Sequence, residues 1–528
     1  MPEAANKGQR KTNPWLIAVT VSMATFMEVM DTSIANVAPR HIAGSVGADQ
    51  SESTWVLTSY LISNAIILPI SGWIASVMGR KRFYMSCVAL FTISSFLCGL
   101  APNLSLLLFF RVMQGIGGGG LAPSEQSILA DTFPLHQRGM AFAVYGVAVV
   151  VAPALGPALG GWITDTYSWR WIFFINIPVG ILSLIMTYLL VHDSEGAKKE
   201  QQEATRGGIK VDYLGFAFIV IGFGSLQIVL DKGQEDDWFS SGFITVFAVL
   251  AAVGLLGMIF WELFGARDPM VDLPLFRDLN FLFTNIMMFF TLFVLLSTTQ
   301  LLPQLVQDIL SYNATKAGLL LMPGGLIIMA LMPVAGILVK KIQPKYLICF
   351  GFLTIVGAMW NLAGFEAGAS FKSLAVARMF QAVGFAFLFV PIQTLAYANL
   401  PSNKSNKGSA LINLMRNLGG SVGISMVTTL LSRRAQIHQH DLAAHLTLTG
   451  PLFQQRTQAL TDRFVAHGSD SVSAHQQALA VVSQGLHSQA IMISYIDVFV
   501  VLMIAALVAA GMTAFLKTIK LGKASAGH

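Results

Sequence analysis

Long apolar runs, each closed by a short polar or basic turn, recur along almost the whole chain. About 20 apolar residues, rising 1.5 Å each as a helix, cross the hydrocarbon of a bilayer, so runs of this length predict membrane-spanning helices. Fourteen are predicted, at 14–38, 53–75, 83–101, 105–130, 139–163, 169–191, 212–230, 240–264, 280–302, 316–340, 346–365, 373–399, 407–432 and 490–516. The fold class is an all-α polytopic membrane protein. One polar stretch, 433–489, is too long for a turn; helix-like patches such as Ser473–Val482 predict a solvated helical hairpin outside the membrane.

Composition agrees with the pattern. Of 528 residues, 54% are hydrophobic and 11% charged, whereas soluble domains carry about a quarter charged residues. The net charge of +6 is spread over short loops, which argues against a nucleic-acid surface. Lys and Arg concentrate in alternate loops (Arg80–Arg82, Arg138, Lys198 and Lys199, Lys340 and Lys341, Lys404 and Lys407), and the positive-inside tendency then places both termini in the cytoplasm. Cys87, Cys98 and Cys349 sit in apolar runs without disulfide or zinc spacing. His438-x-His440 is a weak metal signal without carboxylate or thiol support, so no metal site is expected.

The two ends of the chain repeat each other. Pro69-x-x-Gly72 precedes the basic turn at Gly79 and Arg80, and Pro333-x-x-Gly336 precedes Lys340. Arg111-x-x-Gln114 returns as Arg378-x-x-Gln381. The organisation that follows is a cytoplasmic N-terminus (1–13), a first six-helix half (14–191), a linker with two inserted helices (192–279, helices about 212–230 and 240–264), a second six-helix half (280–516) with the outer segment 433–489, and a cytoplasmic C-terminus (517–528). Parallel repeats of this kind rock about a site between them in transporters.

Charged residues inside the spans carry the chemistry, because hydrocarbon disfavours them by roughly 2.5–3.5 kcal/mol each on insertion scales. Glu28 and Asp31 lie about 60° apart on one helix face. Arg111 lies at compatible depth, so an acid–Arg pair across a cavity is possible. A carboxylate whose proton affinity depends on what occupies the cavity is what proton coupling needs. These three are the candidate proton-coupling residues. Glu125 falls near the same face of its helix as Arg111 and is a candidate cavity residue, and Arg416 in the thirteenth span and Asp497 in the fourteenth are candidates in the second half. Pro153, Gly156, Pro157 and Gly160 make one span small and bent, suited to a sliding contact between halves. Gly72, Gly79 and Arg80 build a tight inner turn.

At these residues the chain resembles the major facilitator superfamily, in its fourteen-span drug:proton antiporter branch. The resemblance rests on Asp31-Thr-Ser-Ile-Ala-Asn36-Val-Ala-Pro39, Arg111-x-x-Gln114-Gly115, the Pro153–Gly161 stretch, Trp169-Arg-Trp-x-x-x-x-Asn176-x-Pro178 and Asn413-x-x-Arg416-Asn417-x-Gly-Gly420. It implies alternating access between the two halves, with Asn36, Gln114 and Asn417 joining the cavity. It also implies proton-coupled export of lipophilic drugs or toxic compounds across an inner membrane. The implied partners are a periplasmic adaptor of the membrane-fusion type and an outer-membrane channel, with 433–489 a plausible contact. Export of one metabolite, lipid or siderophore is the alternative. No phosphate-binding loop is present, so the reading takes the proton gradient as energy source and no cofactor. The spans hold no nucleophile–base set, which argues against an enzyme. In three places the chain departs from the family pattern. Ser76 stands where the family's basic turn has an Asp, so Arg80 needs another partner, and Glu28 and Glu125 are additional acids favouring cationic or zwitterionic cargo.

Overall fold

The computed structural model describes residues 13–35, 39–206, 211–266, 269–310, 312, 314–365, 370–401, 404–444 and 450–518. The chain forms helices α1 (Pro14–Ala35), α2 (Pro39–Val46), α3 (Gln50–Met78), α4 (Arg80–Leu100), α5 (Leu104–Thr132), α6 (Leu135–Thr166), α7 (Trp171–Phe174), α8 (Asn176–Leu190) and α9 (Glu195–Thr205). It continues with α10 (Tyr213–Lys232), α11 (Gly242–Phe260), α12 (Leu279–Asp308), α13 (Ala314–Leu338), α14 (Pro344–Ala363), α15 (Phe371–Ala396), α16 (Ser405–Ala444), α17 (Pro451–Ala466) and α18 (Ser471–Met512).

Local chemistry sets the helix starts. Asn103 accepts from the Leu106 amide at the head of α5, Asp212 from Gly215 at α10, and Asp470 from Val472 and Ser473 at α18. Each satisfies amides that a helix N-terminus leaves without intrahelical partners.

Among the described residues, twelve helices are long and apolar enough to cross a membrane, and the chain is a multi-pass membrane protein. Predicted spans 139–163 and 407–432 fall in α6 and α16, both long helices outside those twelve. Helix α6 is as apolar in composition as α1 and α3 and is long enough to span, and within it Gln137–Pro153 is an apolar helical stretch. In α16, Asn413, Arg416 and Asn417 interrupt the apolar face, and the helix runs on unbroken to Ala444. At 40 residues it is roughly 60 Å long, about twice the hydrocarbon thickness. The predicted hairpin at 433–489 is thus the prolongation of α16 and of the 42-residue α18, with α17 packed on α18.

Helices α1, α3–α6 and α8 pack as one bundle and α12–α16 with α18 as another. The bundles meet where α6 lies on α13 and α15, and where α3 and α5 lie on α16. A Cβ on Gly72 would come within 2.8 Å of the Lys407 Cα, which places α3 in backbone contact with α16. The inserted pair α10 and α11 pack on each other. Helix α10 straddles the seam: Asp231 accepts from Thr58 of α3, and Gln227 accepts from Ser421 of α16 at 3.1 Å.

The contacts across the seam cluster at the end that carries both termini. Gln126 and Asn413 exchange hydrogen bonds of 2.9 and 3.3 Å, Ser127 meets Ser409 at 2.7 Å, and Arg138 donates to the Tyr397 carbonyl at 3.4 Å. In this conformation the halves are closed at that end.

Candidate functional site

The polar groups of the first half form two buried networks around α1. In the first, Asp31 is 2% exposed and Arg111 fully buried. Arg111 Nη1 donates to Asp31 Oδ2 at 2.7 Å and to Gln114 Oε1 at 2.8 Å, while its Nε donates to the Val56 carbonyl at 2.9 Å. Asp31 Oδ1 also accepts from Gln114 Nε2 at 3.0 Å and from Asn176 Nδ2 at 2.6 Å. Ser95 accepts from both amides. The charge in the membrane is therefore paired and hydrogen-bonded, the arrangement that makes such burial tolerable. The pair lies within one half, between α1 and α5, and does not reach across to the other.

The second network holds Glu28. Its Oε1 accepts from Tyr60 Oη and Asn64 Nδ2, each at 3.3 Å, while Oε2 is buried without a partner. Tyr60 joins the two networks, since its ring lies 4.6 Å from the Arg111 guanidinium. Although Glu28 and Asp31 are one turn apart, they face different neighbours: Glu28 meets α3, and Asp31 meets α5 and α8.

Glu125 is fully enclosed between α1, α4 and α5. It accepts from the Thr25 amide at 3.0 Å, from the Thr25 hydroxyl, and from Tyr84 Oη at 3.4 Å. It lines no open cavity in this conformation. Arg416 donates to Tyr145 Oη across the seam, and Asn417 is half-buried on the same helix. Asn36 lies outside the described residues. Asp497 pairs with His438 at 2.8 Å, which turns that histidine towards α18.

The bent span packs differently from the expected sliding contact. The Pro153 carbonyl accepts from Ser33 Oγ at 3.3 Å, and a Cβ on Gly156 would stand 2.2 Å from that oxygen. These residues hold α6 against α1 inside one half. Small residues mark a close approach but do not say to which helix. Contact with α13 comes earlier on α6, where a Cβ on Gly139 would lie 3.3 Å from the Gly336 carbonyl. The Gly160 carbonyl accepts from Thr164. The side chain of Pro157 is outside the described set.

At the inner turn Gly79 has φ +87°, a conformation that favours glycine. Arg80 then turns inward and finds two acids. One is Asp131 on α5, and the other is Glu200 on α9, at 3.0 Å. Asn406 of α16 donates to the same Glu200 oxygen at 3.0 Å. Glu200 thus supplies a carboxylate where Ser76 has none, and ties the turn to the second half. Burial lifts its carboxyl to about 7, against the lowering effect of Arg80.

Sequence reasoning missed Tyr60, Asn64, Ser95, Thr25 and Glu200. Only Tyr60 and Asn64 left a signal, being polar residues four apart on one face of an apolar helix.

Comparison with known proteins adds four findings. The family model of the Major Facilitator Superfamily matches residues 21–424. The chain is 37% identical to the multidrug export protein EmrB of Escherichia coli strain K12 over 485 residues, 92% of this chain and 91% of that protein. It is 36% identical to the fatty acid resistance protein FarB of Neisseria gonorrhoeae, covering 92% of each. In fold it is similar to the crystal structure of the human organic anion transporter MFSD10, with TM-score 0.60 and 12% identity over 94% of this chain and 100% of that one.

Proposed function

This chain belongs to the major facilitator superfamily, and from that membership we propose that it exports lipophilic drugs or toxic compounds across an inner membrane in exchange for protons. The observation that carries the reading is the buried Asp31–Arg111 pair with Gln114 and Asn176 around it. When Asp31 is ionised, Arg111 holds it through Nη1, while Nη2 is buried without a partner. Protonation of Asp31 removes the charge Arg111 was matched to and frees the guanidinium to re-pair, a local change that a moving half can follow. Glu28 is linked to the Asp31 network through Tyr60, which donates to Glu28 and lies against Arg111. Both termini are cytoplasmic in this reading, so the closed seam is the cytoplasmic gate and α9 part of its lock. The prolonged α16, α17 and α18 then stand outside as a surface for a membrane-fusion adaptor that continues to an outer-membrane channel. Export of one lipid or metabolite is the second reading, favoured by the likeness to a protein named for fatty acid resistance.

The test is substrate-induced proton movement in proteoliposomes, wild type against Asp31→Asn. Wild-type vesicles should show a pH change on substrate addition and the variant none. Equal responses would remove Asp31 from the coupling, and no wild-type response would remove the antiport reading.

A further inference from the structure

The second half repeats the three central contacts of the Asp31 network with a threonine in the place of the acid. Arg378 Nη1 donates to Gln381 Oε1 at 2.6 Å and to Thr298 Oγ1 at 3.0 Å, and Gln381 Nε2 donates to Thr298 Oγ1 at 3.0 Å. Arg111, Gln114 and Asp31 make the same three contacts in the first half. Thr298 follows Asp31 at the offset that relates Arg378 to Arg111 and Gln381 to Gln114. The scaffold is kept and the acid is gone.

Arg378 is nonetheless 5% exposed, and Thr298 and Gln381 are fully buried. Its Nη2 donates to Thr299 at 3.1 Å, and its Nε is buried with no partner. Among the described residues no carboxylate pairs with it. A guanidinium cannot shed its proton, and buried charges in proteins are otherwise paired. The Nε edge packs closely against Gly324 of α13, where a Cβ would stand 3.3 Å from the nitrogen, so the donor is approached by backbone that offers it no acceptor. Pro323 beside it removes one backbone donor from α13.

We propose that Arg378, with Thr298, Thr299 and Gln381, is a binding site for a monoanion, which supplies the counter-charge that Asp31 supplies in the first half. The chemistry fits a carboxylate, whose geometry matches the guanidinium fork, or a chloride ion. A carboxylate at this position would belong to amphiphilic cargo, and in that form the inference rests on the export reading. A chloride would be a structural partner of the second half and needs no such reading.

The test is binding, so its failure is distinct from a failure of proton-coupled export. The full chain, purified in detergent, is unfolded by heat while chloride replaces isethionate at constant ionic strength. A parallel series adds octanoate, with octanol as the uncharged control. Wild type should show a midpoint that rises with anion concentration and saturates, as ligand binding to the folded state requires. Arg378→Gln should lose the rise. Thr298→Asp should lose it while keeping a baseline midpoint at or above wild type, because it rebuilds the ion pair of the first half and so guards against a misfolded variant. A rise with octanoate and not with octanol, in the absence of chloride, identifies a carboxylate site. A rise with chloride alone identifies a halide site. The proposal is overturned if neither anion raises the wild-type midpoint, or if Thr298→Asp responds as wild type does.

Discussion

Removing either partner of the Asp31–Arg111 pair should destabilise the first half by an amount that removing both does not double. The two charges are 2.7 Å apart with side-chain exposures of 1% and 0%. At an effective dielectric constant of about 20 that separation corresponds to roughly 6 kcal/mol of attraction. Most of this offsets the loss of hydration, so the net value of the pair is far smaller. Truncating one partner strands the other, which in buried pairs costs about 3–5 kcal/mol. Asp31→Asn leaves Arg111 with only neutral acceptors, Gln114 Oε1 and the Val56 carbonyl. Arg111→Gln leaves Asp31 with two amide donors at 3.0 and 2.6 Å. An arginine cannot lose its charge, so Asp31→Asn is expected to be the more damaging of the two. The assay is the free energy of unfolding in mixed micelles as SDS is titrated, followed by tryptophan fluorescence, for both single variants and the double variant. The double variant should lie at least about 2 kcal/mol above the sum of the singles, within the range that contacting residues show. Losses that add to within about 0.5 kcal/mol would mean that the two groups do not stabilise one another, and the reading of the network as a charge-matched switch would fall.

Two further outcomes follow from residues on either side of that pair. Glu200 titrates near 7 when α9 is docked and returns to its ordinary value of 4.5 when it is released to water. The docked state therefore binds the proton more tightly. Docking should be fully supported below about pH 4.5 and weaken as pH rises through 7. Distances between spin labels on α9 and on the first turn of α16 should lengthen from pH 5 to pH 8 in wild type and stay constant in Glu200→Gln; a pH-independent wild type would refute this. Glu28→Gln should reduce efflux of a lipophilic cationic dye about tenfold, the equivalent of 1.4 kcal/mol, and leave a neutral substrate unaffected. Equal effects on both cargoes would show that Glu28 acts on coupling or packing and not on cargo charge.

Much of the architecture was legible because membrane spans are written in composition. Of the fourteen predicted spans, twelve coincide with helices long and apolar enough to cross a membrane, and the Arg-x-x-Gln repeat returned with the same Arg-to-Gln hydrogen bond in both halves. The partners of those residues were not legible. Asp31 and Glu28 differ by about 60° on one helix, and that angle suffices to place them against different helices, which depends on packing that periodicity does not record. Ser95, Thr25 and Tyr84 are common residues whose importance comes only from the group they face. Helix α9 reads as a charged linker, yet Glu200 is buried because the acid missing at position 76 leaves Arg80 open to it. The stretch from Pro153 to Gly160 showed that some helix would come close, and it is α1 that does.

One helix ties the Glu28 and Arg111 networks to the closed seam. Tyr60 of α3 donates to Glu28 and lies under Arg111. Twelve residues on, roughly 18 Å along the helix, Gly72 is in backbone contact with α16. The helix then ends at the Gly79 turn, where Arg80 is held by Asp131 and Glu200 and Glu200 in turn by Asn406 of the second half. Coupling between distant sites needs an element with two discrete arrangements that both sites bias. Helix α3 meets the geometric part of that requirement. The Arg111 guanidinium lies 4.6 Å from the Tyr60 ring, and the same helix carries a surface by which the halves meet. The inserted helix α10 bears on this element too, through Thr58, and reaches α16 through Ser421. Of the two added helices it is α10 that bridges α3 and α16, with α11 packed on its other side.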